Sequence, residues 1–178
     1  MFRPRLAVVA SMILAAALTR LLPHPPDMTS IAAVALFGGA YFSDKRMAFL
    51  VPFAALFMSD LLLGFYAHME VVYGSFALIT CIGLWLQARR TPVRIAAATL
   101  AGSAVFFLVT NFGVWAFGSL YPKTMDGLVA CYIAAIPFFA NTLQGDVLYT
   151  FALFGGFALL ERQFAALREA AAFSPRPA

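Results

Sequence analysis

Charged residues are scarce in this chain of 178 residues, where Asp, Glu, Lys and Arg fill 11% of positions and hydrophobic residues fill 63%. An average soluble domain carries roughly 25% charged residues, which keep its surface in contact with water. A chain this poor in charge cannot cover itself in that way. Its mean hydropathy of +0.88 favours lipid as the solvent for most of its surface, which excludes an ordinary soluble domain.

Cysteine and histidine are also rare, with two of each in the sequence. Cys81 and Cys131 lie in separate apolar stretches, form no CxxC pair and indicate no disulfide framework. The sequence contains no HExxH or GxSxG pattern, no Gly-rich phosphate loop and no basic helix with interleaved aromatics. These absences argue against the common hydrolases, against a resident cofactor and against a nucleic-acid partner.

The abundant apolar residues fall into segments long enough to cross a bilayer, which takes about 20 residues each. In chain order these segments are 6–22, 28–42, 47–65, 71–88, 95–117 and 128–160. The last region is too long for one simple span, and Pro137 and the polar stretch 141–146 divide it. We therefore predict an all-α, polytopic membrane protein with six transmembrane helices. A short outer helix or re-entrant segment at 127–139 would precede a sixth span at 141–164.

The second segment is the weakest span in this interpretation. Its apolar core, residues 31–42, would be only about 18 Å long at 1.5 Å per residue. It must borrow loop residues, tilt or thin the bilayer. The sequence predicts one transmembrane domain over residues 1–170 and a disordered tail over residues 171–178.

The basic residues alternate between the predicted loops. With the N-terminus in the cytoplasm, ten of the twelve Lys and Arg residues fall inside, and only Arg20 and Lys123 fall outside. This positive-inside bias predicts that both termini face the cytoplasm, and we expect the bacterial inner membrane as the location. A cleaved signal peptide is the alternative for the first segment, but Arg20 interrupts the expected cleavage region.

Strongly polar side chains concentrate in the outer halves of the predicted spans. Polar residues inside a bilayer are expensive and are functional candidates by default. Since a small-molecule pocket needs a few placed polar groups among apolar and aromatic ones, we predict a periplasm-facing binding site. Its candidate residues are His24, Asp60, Tyr73, Asn111, Trp115, Asn141 and Asp146.

Each of these candidates also has a structural interpretation. Trp and Tyr at helix ends commonly form interfacial belts, and Asn commonly bonds across helices as structural glue. Asp60 can pair with Arg20 as a structural ion pair, and Asp146 can face outer water. Cys81 can be a soft metal ligand on the pocket floor, although a buried cysteine is more often a small hydrophobe.

Small residues recur every four positions on the first segment, at Ala7, Ser11 and Ala15. Such a stripe lets another helix approach closely. It favours either packing within this chain or docking to a second membrane subunit.

Four stretches of the chain are similar to a known family. They are Leu-Pro-His-Pro-Pro at 22–26 before Gly38-Gly39, Ser-Asp-Leu-Leu-Leu-Gly at 59–64, Thr-Asn-Phe-Gly-Val-Trp at 110–115, and 145–162. With its size and alanine-rich first helix, the chain resembles the substrate-binding S-components of energy-coupling-factor vitamin transporters. The resemblance covers nearly the whole chain and looks closest to a small bacterial group of putative transport proteins.

The resemblance implies uptake of a small water-soluble micronutrient that binds near the outer face beneath closing loops. It also implies that Ala7, Ser11 and Ala15 dock to an energy-coupling membrane subunit, with ATP hydrolysed by separate ATPase subunits. Some solitary S-components carry cobalamin, and in those a cysteine can ligate cobalt, a role for which Cys81 is the candidate here. The alternatives are a scaffold subunit of a larger membrane complex and an intramembrane enzyme using Asp60 and Asp146.

Overall fold

The structure, a computed structural model, describes residues 4–168. Within that range the chain is helical and forms no strand. The helices are α1 (Pro4–Leu18), α2 (Ile31–Tyr41), α3 (Lys45–Leu63), α4 (Met69–Leu86), α5 (Pro92–Phe117), α6 (Met125–Thr150) and α7 (Gly156–Gln163). Five helical segments are long and apolar enough to cross a membrane, and α2 is a shorter apolar helix. The all-α, polytopic class is confirmed, and the predicted tail at 171–178 lies outside the described residues.

Contacts between helix ends agree with an alternating path through the membrane. Arg20 after α1 meets Asp60 near the end of α3, whereas Arg5 at the start of α1 pairs with Glu161 of α7. We call the end of the bundle that holds Arg20 and Asp60 the outer end, following the side that the basic residues predict. The opposite end is the inner end.

The last apolar region differs from its predicted form. No break occurs at Pro137, because α6 runs through this residue. A five-residue π turn, Phe151–Gly155, then continues it into α7. Proline removes one backbone donor, but a loop in an apolar environment would leave several backbone groups unpaired. One continuous helix of 39 residues therefore replaces the predicted short outer helix and separate sixth span.

The short helix α2 lies at the centre of the bundle, and all eleven of its residues are buried. A helix that is apolar on every side is expected to be surrounded by protein. Because the other helices enclose it, α2 does not have to match the thickness of the bilayer by itself. This resolves the length problem posed by the second predicted segment.

Glycines allow α2 to pack directly on the backbone of its neighbours. A side chain on Gly39 would collide with the Thr80 carbonyl oxygen and come within 2.8 Å of the Gly83 Cα atom. A side chain on Gly83 would collide in turn with the Leu36 carbonyl oxygen. The α2–α4 contact is therefore a backbone-to-backbone contact that only glycine permits.

The inner end of α2 finishes inside the bundle, where its last carbonyl groups need donors. Gln87 Nε2 donates to the carbonyl oxygens of Gly39 at 2.8 Å and Phe42 at 2.7 Å. Arg90 donates to the carbonyl oxygen of Ala40 at 2.9 Å. Two side chains from the α4–α5 connection thus complete the end of α2.

Candidate functional site

A buried ion pair lies at the outer end, between α1, α3 and α4. Arg20 Nη1 is 2.7 Å from Asp60 Oδ1 and forms an ion pair with it. Asp60 is 0% exposed and Arg20 is 9% exposed. Tyr73 of α4 donates its hydroxyl to Asp60 Oδ2 at 3.0 Å, and Arg20 also donates to the Ser59 hydroxyl. We call Arg20, Ser59, Asp60 and Tyr73 the outer cluster.

The outer cluster retains one unused donor. Arg20 Nε is buried and has no hydrogen-bond partner among the described residues. A space of about 10 Å³ lies beside Arg20, next to Ser30 and Phe76. A space of this size accommodates about one water molecule, and it is too small for a solute in this conformation.

The negative charge of Asp60 also affects Tyr66, which lies outside the outer cluster. Tyr66 lies in the loop between α3 and α4, outside the membrane-spanning segments. Burial, followed by the nearby Asp60 carboxylate, raises the pKa of Tyr66 to about 12, against the opposing effect of Arg20. Tyr66 is therefore neutral at physiological pH and can donate a hydrogen bond but not supply a charge.

A loop between α1 and α2, residues 22–30, covers the outer end and is docked on α6. We call it the outer loop. Asn141 Nδ2 donates to the Pro26 carbonyl oxygen at 3.0 Å. One helical turn further along, a side chain on Gly145 would lie 3.0 Å from the Thr29 carbonyl oxygen. Gly145 is thus the position at which the loop backbone rests against α6.

Two titratable groups lie in the outer loop. Asp27 adopts a left-handed conformation with φ of 60°. Burial raises the pKa of its carboxyl, and the nearby His24 lowers it by a smaller amount. His24 itself is exposed, and its Nδ1 contacts the Pro25 carbonyl oxygen at 2.9 Å.

Asp146 lies apart from the outer cluster, in the core between α2, α5 and α6. It is 2% exposed, and its Oδ2 is 2.6 Å from the Ser103 hydroxyl oxygen. The narrow space beside it is lined from α2 by Ala32, Ala33 and Leu36. Asp60 and Asp146 thus contact different residues on different helices.

The two remaining candidates lie in the outer half of α5 and bond to local partners. Asn111 Nδ2 donates to the Phe107 carbonyl oxygen of its own helix at 2.8 Å. Trp115 Nε1 donates to the Pro122 carbonyl oxygen at 2.9 Å, and the Lys123 ammonium donates to the Trp115 carbonyl oxygen. The structure therefore brings Asp60 and Tyr73 together, and brings Asn141 to the loop that carries His24. It does not unite Asp146, Asn111 and Trp115 with them in one pocket.

Cys81, the candidate cobalt ligand that the resemblance raised, is exposed on the surface of α4. It therefore does not face the floor of a buried pocket, and its position gives no support to cobalt ligation. Within residues 4–168, no group of three or more His, Cys, Asp or Glu side chains is arranged to hold a metal ion.

The predicted docking stripe on α1 has a mixed environment. Ser11 and Ala15 are exposed on the surface of the bundle, and Ala7 is half-buried. The part of the stripe nearer the outer end therefore does not pack within this chain.

Sequence reasoning gave too little weight to one important partner and missed another. Arg20 enters only as a possible ion-pair partner of Asp60, although a basic residue on the outer side of a membrane protein is itself an unusual signal. Ser103 carried no signal, because a serine in an apolar helix is common and its partner lies 43 residues away.

The comparisons with known proteins identify a family without a known activity. The model of a family of unknown function (DUF6580) matches residues 1–168. No curated protein and no solved structure gives a match.

Proposed function

The chain belongs to the DUF6580 family, and we propose from its structure that it takes up a small water-soluble micronutrient across the membrane. The solute would bind from the outer side at the outer cluster, beneath the outer loop. The observation that carries this proposal is the Arg20–Asp60 pair, buried in an apolar bundle with a donor to spare. Ionisable groups at such depth commonly mark a substrate path.

The geometry supports a site that opens and closes. The space beside Arg20 holds no more than about one water molecule, so a solute enters only after the outer loop lifts. The loop is held by few polar contacts, of which Asn141 supplies one to Pro26. Arg20 Nε then offers a donor, and the site favours a solute that carries a carboxylate, carbonyl or phosphate acceptor.

Retained small molecules provide the direct test. Purified protein should release a water-soluble compound that mass spectrometry identifies, and a panel of water-soluble vitamins that includes cobalamin should contain a member that raises the melting temperature. Tyr73→Phe removes one donor from the outer cluster and should reduce that increase. Glu70→Gln, with a side chain 69% exposed nearby, is the matched control and should not.

The extent of the site can be measured with the same assay. Asn111→Ala should leave the vitamin-dependent increase intact if the site is confined to α1, α3 and α4, and should abolish it if the site reaches the α5–α6 turn. The proposal is wrong if no compound is retained and no vitamin changes the melting temperature of the wild-type protein.

A scaffold or docking function is the second candidate, and the exposed Ser11 and Ala15 favour it. Such small residues on a lipid-facing surface allow a helix of another subunit to approach closely. Ala15→Leu should abolish co-purification of a membrane partner, such as an energy-coupling subunit. Ala97→Leu, at an exposed position of α5, is the control of equal size change and should preserve it.

A further inference from the structure

Asp146 is a buried carboxyl that forms no ion pair within the part of the chain that the structure describes. The space beside it is lined by residues from four helices: Ala32, Ala33 and Leu36 of α2, Ile79 of α4, Ala98, Thr99 and Gly102 of α5, and Thr150 of α6. None of these residues is titratable. Arg20, just after α1, and Asp60 of α3 pair with each other, so neither compensates Asp146.

The number of donor protons in the hydrogen bonds around Asp146 indicates its protonation state. The Ser103 hydroxyl oxygen is 2.6 Å from Asp146 Oδ2 and 3.0 Å from the Thr99 carbonyl oxygen. A hydroxyl group has one proton to donate, and both a carboxylate and a carbonyl only accept. If Asp146 is ionised, one of the two contacts has no proton. If Asp146 is protonated, it donates to Ser103, which donates to Thr99, and both contacts are satisfied.

Burial also favours the protonated form of Asp146. An ionised carboxylate in an apolar environment, with no cation to pair with, is strongly disfavoured relative to its neutral form. The hydrogen-bond geometry and the burial therefore both favour a protonated Asp146 in the closed structure.

Ionisation of Asp146 would require water, and the outer loop stands in the way. Gly145, the neighbour of Asp146, is where the Thr29 backbone rests on α6, and Asn141 fixes Pro26 one turn above. Water that enters from the outer end along this face of α6 meets the loop first. Loop opening and ionisation therefore favour each other.

We propose that Asp146 is a proton-binding site, protonated while the outer loop is closed and ionised when it lifts. On opening, the O–H bond of the carboxyl breaks and the proton passes to water on the outer side; on closing, it returns. The proton would then enter the transport cycle together with the solute. This transport role depends on the uptake function proposed above, whereas the proton site and its link to the loop do not.

Infrared spectroscopy tests the proton site directly. Wild-type protein at neutral pH should show the C=O stretch of a protonated carboxyl group, and Asp146→Asn should lack it. Asp60→Asn should retain it, and Ser103→Ala should retain it at a shifted frequency. An absent band in the wild type, or an unchanged band in Asp146→Asn, would overturn the proposal. Asparagine keeps a donor for Ser103, so this variant is expected to fold.

Thiol labelling tests the link to the loop. In a background of Cys81→Ala and Cys131→Ala, Ser30→Cys places a thiol at the last residue of the outer loop, a position that is 1% exposed in the closed structure. A maleimide reagent should label it faster at alkaline pH, by about tenfold or more, because ionisation of a buried carboxylate strongly favours opening. His24→Cys is the control. Its thiol is at an exposed position of the loop and reacts without loop opening, so it reports how the labelling reaction itself depends on pH.

Asp146→Asn in the Ser30→Cys background isolates the responsible group. The outer loop carries the ionisable side chains of Asp27 and His24, and this variant leaves both in place. Its labelling, corrected with His24→Cys, should stay slow at every pH. If it follows the wild type instead, Asp27 or His24 drives the opening and the proposal is wrong.

Vitamin binding then separates this proposal from the uptake function. For a vitamin that stabilises the protein, the increase in melting temperature should depend on pH in the wild type and not in Asp146→Asn. If binding is independent of pH in both, the proton has no role in transport although uptake stands. If no vitamin binds while the infrared band and labelling behave as expected, uptake fails and the proton site stands.

Discussion

Asp60 and Asp146 are both almost fully buried, yet one is surrounded by partners for a charge and the other is not. Asp60 faces a guanidinium and a phenol, whereas Asp146 faces a single serine hydroxyl and apolar side chains. The helix α2 separates them. Its residues Ile31 and Val34 face the space beside Arg20, and Ala32, Ala33 and Leu36 lie on the opposite face, beside Asp146.

The difference teaches that burial alone does not define the role of a carboxyl in this protein. At the outer cluster the pairing keeps a charge in place, which suits recognition of a polar solute. Beside Ser103 the surroundings keep a charge away, which suits the reversible holding of a proton. Each side of the comparison can be tested by substitutions that alter one partner at a time.

The largest effect is expected from Asp60→Asn. It removes the carboxylate that pairs with Arg20 among residues 4–168 and leaves a buried guanidinium without that counter-charge, which should lower the free energy of unfolding by about 3–5 kcal/mol. Denaturant titration in mixed micelles measures the loss, with Glu70→Gln as the control. A loss below about 1 kcal/mol would show that the pair is not structurally important.

Replacement of both partners sharpens this result. The double variant Arg20→Met with Asp60→Leu should recover most of the stability, because apolar residues often substitute well for a buried ion pair. It should nevertheless fail to bind any vitamin that stabilises the wild type, as judged by the melting temperature. A double variant that is stable and still binds would remove the outer cluster from the proposed site.

Tyr73→Phe should have an intermediate effect. It deletes one hydrogen bond to a charged acceptor and keeps the aromatic ring, so the free energy of unfolding should fall by about 1.5–2 kcal/mol. The same titration measures it, and Tyr66→Phe is the matched control, since the phenol that donates to the Asp60 carboxylate is that of Tyr73. Equal effects of the two substitutions would contradict the geometry of the cluster.

The smallest effect is expected from Asp146→Asn at neutral pH. Asparagine resembles a protonated carboxyl in shape and donates to Ser103, so the free energy of unfolding should change by less than about 1 kcal/mol. Titration of both variants under the conditions used for Asp60→Asn gives the direct contrast. A loss as large as that of Asp60→Asn would show that Asp146 is charged and paired.

Much of the architecture could be predicted from composition and charge. The apolar segments predicted where the membrane-spanning helices lie. The alternation of basic residues predicted which helix ends share a side of the membrane, and the observed contacts between helix ends agree with it. The sequence also placed Asp60 near Arg20 as one of two alternatives. These features follow from two constraints that the membrane places on every span, internal backbone hydrogen bonding and the positive-inside bias. They can therefore be predicted without knowing the tertiary structure.

The internal arrangement could not be predicted in the same way. Whether Pro137 breaks a helix depends on what surrounds the freed carbonyl group, and the sequence does not give that environment. The pairing of Asp146 with Ser103 depends on the rotation of α5 against α6. Asn111 and Trp115 have the residue types of a binding site, but helix rotation and the α5–α6 turn direct them to local partners.

The enclosed position of α2 has a consequence for how the protein is made. With eleven residues, about 16 Å at 1.5 Å per residue, α2 is too short to be held by lipid alone. The donors for its last carbonyl groups, Gln87 and Arg90, are synthesised some fifty residues later. A nascent chain that ends before α4 lacks these donors, so the last carbonyl groups of α2 have no partner when the helix leaves the translocon. Correct insertion therefore requires that the early helices stay together until α4 has been synthesised.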